Sequence, residues 1–312
     1  MAKLTQNKVA ESKLPMPAAL ALGTLLWLLC GLVTNDWWIQ YAAFAITALL
    51  MVELNNQHAL IRVYSRMVSC AFILLFCAAN FLMPSVRGAI MQAFVVAAYL
   101  VLFHSYQDKT ATASTYYAFL LLGLASLAEV HILYFVPLIW LLMTTNLLCM
   151  SWRNWGASIL GLLTPYWFAT AWLALSANLT PLTDHVAKLA QFTFPVNYAR
   201  LTVGFMLVIG LLITLTVTGI IHYLRKSYND KIRIRMLFGF FIWTDLVALA
   251  FICVQPRYQD MLLRIIIINT APLVAHFLTL TSTRVTNAAF YAISIATLAI
   301  IGYNVWTSTT LF

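Results

Sequence analysis

Long apolar runs divided by short polar breaks set the pattern of this chain. A helix that crosses a hydrocarbon core needs about 20 apolar residues. Backbone facing lipid must satisfy its own N–H and C=O groups, which leaves helices as the repeating element. The runs predict eleven helical spans at 15–34, 37–54, 67–84, 88–104, 115–129, 131–150, 155–176, 201–222, 236–254, 261–281 and 287–306. The fold class is therefore all-α, a polytopic membrane bundle forming one domain over 1–312. Pro84, Pro165, Pro181, Pro195 and Pro256 are expected near span ends or in connections. Pro137 and Pro272 fall inside spans and are expected to kink them.

The stretch 115–150 has no polar loop. As one helix it would be about 54 Å long, far beyond the core. Glu129-Val130-His131 is its only polar break, so a tight turn is expected there. Charge asymmetry favours the same choice. With the N-terminus inside and a turn at 129–131, 13 of the 18 Lys and Arg residues fall on the cytoplasmic side; a single crossing would leave 10 against 8. Excess Lys and Arg belongs on the cytoplasmic side. The N-terminus is thus expected inside and the C-terminus outside. Two full spans and a re-entrant pair remain alternatives for 115–150.

Two connections exceed turn length. The segment 223–235 (YLRKSYNDKIRIR) reads as a basic cytoplasmic loop. The segment 177–200 reads as an external loop in which Leu182, Val186 and Leu189 recur at helical spacing, giving a short interfacial helix. Residues 1–14, with Lys3, Lys8 and Lys13, read as a cytoplasmic tail ahead of a retained first span.

Composition sharpens the picture. Apolar residues make up 63% and charged residues 9%, with a mean hydropathy of +0.89. An ordinary soluble domain has about 25% charged residues, so a soluble enzyme and a disordered chain are excluded. The net charge of +9 reflects membrane topology, and nucleic acid is not an expected partner. The five cysteines lie in apolar runs without metal-ligand spacing, so no metal or cofactor is expected. Membrane lipids are the expected surroundings; oligomeric state is not encoded legibly.

Polar groups in or at the ends of spans carry what chemistry remains, because they are costly there. Asp245 lies mid-span in FFIWTDLVALAF, with Asn269 at similar depth in the next span as its expected partner. The pair reads either as a proton or ion site or as a hydrogen-bonded pin between two helices. At external span ends stand Asp36, Glu129, His131, Asp184, His185, Arg200, Arg257, Tyr258, Asp260 and Arg264. If the fold gathers them, Asp36, Glu129 or His131 is the candidate acid–base group. Arg200, Arg257, Tyr258 and Arg264 would hold a lipid phosphate, guanidinium groups being suited to bidentate phosphate contact.

Two resemblances follow from these residues. Ser151-Trp152-Arg153-Asn154-Trp155 and Gly161-Leu-Leu-Thr-Pro165-Tyr166-Trp167, with the segment 124–140 and the span holding Pro272, resemble a family of uncharacterised bacterial inner-membrane proteins. Pro256-Arg257-Tyr258 followed by Pro272 resembles an element of the polytopic C-type glycosyltransferases. That resemblance implies a polyprenyl-phosphate-linked donor, an inside N-terminus and a catalytic acid in the first external loop, where Asp36 is the matching residue. The reading it implies is lipid-linked glycan assembly at the outer face of a bacterial inner membrane. The alternative is a non-catalytic transporter-like or scaffold subunit centred on Asp245.

Overall fold

The computed structural model describes residues 4–176, 179–191 and 201–309. Among them it shows thirteen α-helices and no strand. Each of the eleven apolar stretches carries one: α2 (Pro15–Leu29), α3 (Trp38–His58), α4 (Met67–Ala78), α5 (Val86–Leu102), α6 (Thr112–Ala128), α7 (Val136–Thr145), α8 (Trp152–Leu175), α10 (Val203–Lys226), α11 (Ile232–Val254), α12 (Gln259–Leu280) and α13 (Arg284–Thr309). The two extra helices are α1 (Thr5–Glu11) and α9 (Thr180–Ala187). Among the described residues seven helices are long and apolar enough to cross a membrane, or eight if the sharply bent α1–α2 pair forms one span. The helices α4 and α6 and the segment 130–145 are shorter apolar elements.

A helix that is apolar on every face belongs in the middle of a bundle. Along Ile265–Ile268, with Leu262 and Leu263 before it, α12 presents apolar side chains on every face, and its polar residues Arg264, Asn269 and Thr270 are buried with them. Of its most apolar residues 94% are buried, against 11% for α13. Around α12 pack α4, α5, α10 and α11, with α1 against its C-terminal end. On one flank α8 packs on α6 at very close range. A Cβ on Gly161 would stand 2.4 Å from the Tyr116 carbonyl oxygen, and one on Gly123 2.8 Å from that of Leu162. Small residues let two apolar helices approach this closely where dispersion, not water, drives association.

Connections fall into two sets, one at each end of the bundle. At the end that carries α1, the Gln107 N–H donates to the Leu147 carbonyl at 2.8 Å, and the Asn146 amide donates to that of Met236 at 3.1 Å. At the opposite, distal end, the Gln40 amide donates to the Pro84 carbonyl at 3.2 Å, and the Ser85 hydroxyl to Asp260 at 3.1 Å. The Gln107–Leu147 tie shows that the chain leaves along α6 and returns through α7 to the same end. Glu129 is the reversal point expected from the sequence. Its backbone is extended (φ −140°, ψ 100°) directly after α6.

The structure adds to some expectations and corrects others. The N-terminal tail is folded: the buried Gln6 amide of α1 donates at 2.6 Å both to the Leu278 carbonyl and to the Thr281 hydroxyl. The 223–235 loop is mostly helical, because α10 runs to Lys226 and α11 begins at Ile232. Pro137 does not kink a span. It sits in the first turn of α7, where its missing N–H has no intrahelical acceptor to lose. Pro165 lies inside α8, not near its end, while Pro272 lies inside α12 as expected. The short helix expected in 177–200 is α9.

Candidate functional site

The distal end holds a cavity of about 580 Å³. Its wall is built from three places in the sequence: the turn after α6 (Glu129, Val130, His131), the helix α9 (Asp184, His185, with Lys188 just beyond), and the 256–261 entrance to α12 (Arg257, Tyr258, Asp260). Arg87, in the first turn of α5, completes it.

Local structure explains each position. After α6 ends, the chain turns through a 3₁₀ segment, Val130–Phe135, before α7 begins. This tight turn brings His131 Nδ1 onto Glu129 Oε1 in a short contact. The His131 ring is buried and lies on the Tyr258 ring, with centroids 4.0 Å apart. His131 Nε2 is buried and has no hydrogen-bond partner among the described residues. The α9 segment is strapped across the site by three ties. His185 Nε2 pairs with the Ser126 carbonyl at 2.9 Å, the Tyr134 hydroxyl donates to that of Leu189, and the Tyr258 hydroxyl to that of Gln191 at 2.5 Å.

The electrostatics favour an ionised carboxylate. Burial alone would raise the Glu129 pKa, but the hydrogen bond and charge of His131, with the charge of Arg87, outweigh it and hold the group below its ordinary value. A carboxylate bonded to one imidazole nitrogen fixes the tautomer and leaves the other nitrogen as the proton acceptor. Arg87 and Arg257 are exposed cations on the wall, and Lys188 is half-buried. The site thus joins an acid–base pair to three positive side chains.

Beneath it Arg264 is fully buried and committed elsewhere. Its guanidinium donates to Asp260 (3.3 Å), to Gln92 Oε1 (2.8 Å) and to the Leu82 carbonyl, and lies over the Phe76 ring at 5.5 Å. Gly88 is required here, since a Cβ would fall 2.3 Å from Asp260 Oδ2 and 2.4 Å from Arg264 Nε. Arg264 therefore ties α12 to α4 and α5 and is not placed to clamp a phosphate.

Other expectations divide. Asp36 does not line the cavity. It is an exposed residue with φ 54° in the 30–37 turn, which packs beside the 80–84 segment through Asn80–Cys30 and Gln40–Pro84 contacts. Arg200 lies outside the described residues. Asp245 is fully buried, but its partners are the hydroxyls of Thr216 (2.8 Å) and Thr270 (3.0 Å), not Asn269. Asn269 donates instead to the Ile265 carbonyl one turn back in its own helix, at 2.7 Å. Among the described residues no three His, Cys, Asp or Glu side chains gather closely enough to hold a metal ion.

The expected order of spans puts Arg87 and Lys188 on the same side as Glu129, although neither stood among the candidate site residues. Their signal was present, as two of only five cations on the poorer side of the charge asymmetry. Gln92 carried no signal beyond being a polar residue inside a span. Comparison of the chain with protein-family models, with curated proteins and with solved structures finds no match.

Proposed function

We propose that this chain is an eleven-pass bacterial inner-membrane protein with the α1 end in the cytoplasm. Its distal cavity would act on a phosphate-bearing amphiphile in lipid-linked glycan assembly. The eleven apolar helices alternate between the two ends, which supports eleven crossings. The orientation rests on charge: Lys8, Lys13, Arg62, Arg66, Lys109, Arg153, Arg225, Lys226, Lys231, Arg233, Arg235 and Arg284 belong to the α1 end, and excess Lys and Arg belongs in the cytoplasm.

The observation that carries the functional reading is the convergence of Glu129–His131 with Arg87, Lys188 and Arg257 on one cavity. In this reading the three cations neutralise the phosphate of a polyprenyl-phosphate-linked donor. His131 Nε2 takes the proton of an acceptor hydroxyl, and Glu129 stabilises the resulting imidazolium. The acceptor oxygen bonds to the sugar carbon, and the bond from that carbon to the phosphate oxygen breaks with its electron pair leaving on the phosphate. Glu129 and His131 replace Asp36 as the acid–base group. The test is surface glycan in cells carrying Glu129→Gln, His131→Gln or Arg257→Gln. Loss of glycan at normal protein level is expected for each, and unchanged glycan in all three ends the reading.

A non-catalytic transporter-like or scaffold role is the second reading, favoured by one feature. Asp245 joins α10, α11 and α12 at the centre of the bundle through Thr216 and Thr270. A phenotype lost in Asp245→Asn but kept in the three distal variants would select it.

A further inference from the structure

The α1 end holds a second cavity, of about 420 Å³, between the C-terminal turns of α10 and the start of α13. Its polar wall is cationic and hydroxylic: His222, Arg225 and Lys226 from α10, and Ser282, Thr283 and Thr286 from the turn into α13. Among the described residues no acidic one lines it. Arg225 and Lys226 form no ion pair among the described residues. A helix C-terminus carries only about half a negative charge, so two cations in the last turn of α10 leave a positive excess.

Two further features point to an anion. Thr283 and Thr286 cap α13 reciprocally, the Thr286 N–H on Thr283 Oγ1 at 3.2 Å and the Thr283 N–H on Thr286 Oγ1 at 3.1 Å. Both residues line the cavity, which places the positive end of that long helix on its wall. Independently, His222 is more than nine-tenths buried on the wall, and its Nε2 has no hydrogen-bond partner among the described residues. Asp230, the acid whose charge reaches His222, is already held by His276 at 2.9 Å and by Arg62 at 3.9 Å. The other wall is apolar, formed by Ile221, Phe277 and Leu280.

We propose that this cavity binds the anionic phosphate of an amphiphile, with the headgroup between Arg225, Lys226, His222 and the start of α13, and the chain along Ile221 and Phe277. This site stands apart from the distal cavity and does not depend on the function proposed for it. A phosphate headgroup and free phosphate share the chemistry, and the test separates them.

The full chain is purified into detergent and washed, then titrated with phosphatidate in phosphatidylcholine-containing micelles or with inorganic phosphate. Retained lipid is counted by native mass spectrometry, and melting temperature is followed in parallel. One phosphatidate per chain with a raised melting temperature is expected. Protection by inorganic phosphate alone would move the source to the free ion while keeping the site. Arg225→Gln/Lys226→Gln should weaken retention by about tenfold or more, the loss expected for charge-assisted contacts. Lys226→Glu alone reverses one exposed charge without touching the core, and should act in the same direction. Lys109→Gln/Arg153→Gln removes equal charge from the same end and should leave retention unchanged. Equal loss in both double variants, or no saturable binding of either ligand, overturns the proposal.

Discussion

Gly88→Ala should destabilise the bundle through a single methyl group, against the usual trend for glycine in a helix. Gly88 lies in the first turn of α5, and the added Cβ would meet Asp260 Oδ2 at 2.3 Å, Arg264 Nε at 2.4 Å and Arg264 Cζ at 2.8 Å. None of the three can retreat freely. Arg264 is pinned by Gln92 and the Leu82 carbonyl, and Asp260 by the Ser85 hydroxyl. Overpacking costs about 1–3 kcal/mol. Separating a buried ion pair costs about 3–5 kcal/mol, discounted here because the Asp260 side chain is 39% exposed. Relief of glycine backbone entropy returns about 0.5–1 kcal/mol. The net is a loss of about 2–4 kcal/mol, thirtyfold or more in the unfolding constant. Gly210→Ala in α10 is the control, since nothing lies within 4 Å of its Cβ; it should be neutral or slightly stabilising. Equilibrium unfolding in mixed micelles reads both. Equal stability of the two variants would refute the view that Arg264 and Asp260 form a rigid tether.

Three other outcomes follow from the same structure. Glu129 has a folded pKa below its ordinary value, so its interactions with His131 and Arg87 stabilise fully above the unfolded glutamate pKa of about 4.3 and fade as pH falls through the lower folded value; melting curves from pH 6 to 3 should converge for wild type and Glu129→Gln at the acid end, and parallel curves would contradict this. Asp245→Ala should cost about 2–4 kcal/mol through lost hydrogen bonds and a cavity, while Asp245→Asn keeps an acceptor for Thr216 and Thr270 and should cost less than about 1 kcal/mol. Gly161→Val should push α8 off α6 against the Tyr116 carbonyl, costing about 1–3 kcal/mol or more; a folded, monodisperse variant of wild-type melting temperature would argue against close α6–α8 contact.

The limits of sequence reading show a consistent geometry. The reversal at Glu129 was legible because a 36-residue apolar run is too long for one crossing. The distal cluster of Glu129, His131, Asp184, His185, Arg257, Tyr258 and Asp260 was legible because alternation assigns every span end to a side. Depth and side are one-dimensional quantities, and they do not give angle around a helix axis. Asn269 and Thr270 have nearly the same depth but differ by about 100° in direction, and the structure turns Thr270 to Asp245. Asp36 failed for the same reason, since order along the chain does not say which span ends are neighbours. Arg264 carried a partial warning in Asp260, four residues before it on one helix face. Its other partners, Gln92 and the Leu82 carbonyl, lie 172 and 182 residues away and could be found only by folding.

The position of α12 has a consequence for biogenesis. The element that fills the middle of the bundle is the twelfth of the thirteen described helices to leave the ribosome. Until it inserts, α4 and α5 have no central neighbour, and the Gln6 amide waits for a carbonyl 272 residues downstream. A nascent chain stalled before residue 259 would lack the helix against which α4, α5, α10 and α11 pack. The packing of α4, α5, α10 and α11 around α12, and the Gln6 tie of α1, therefore form only once residues 259–280 have been made.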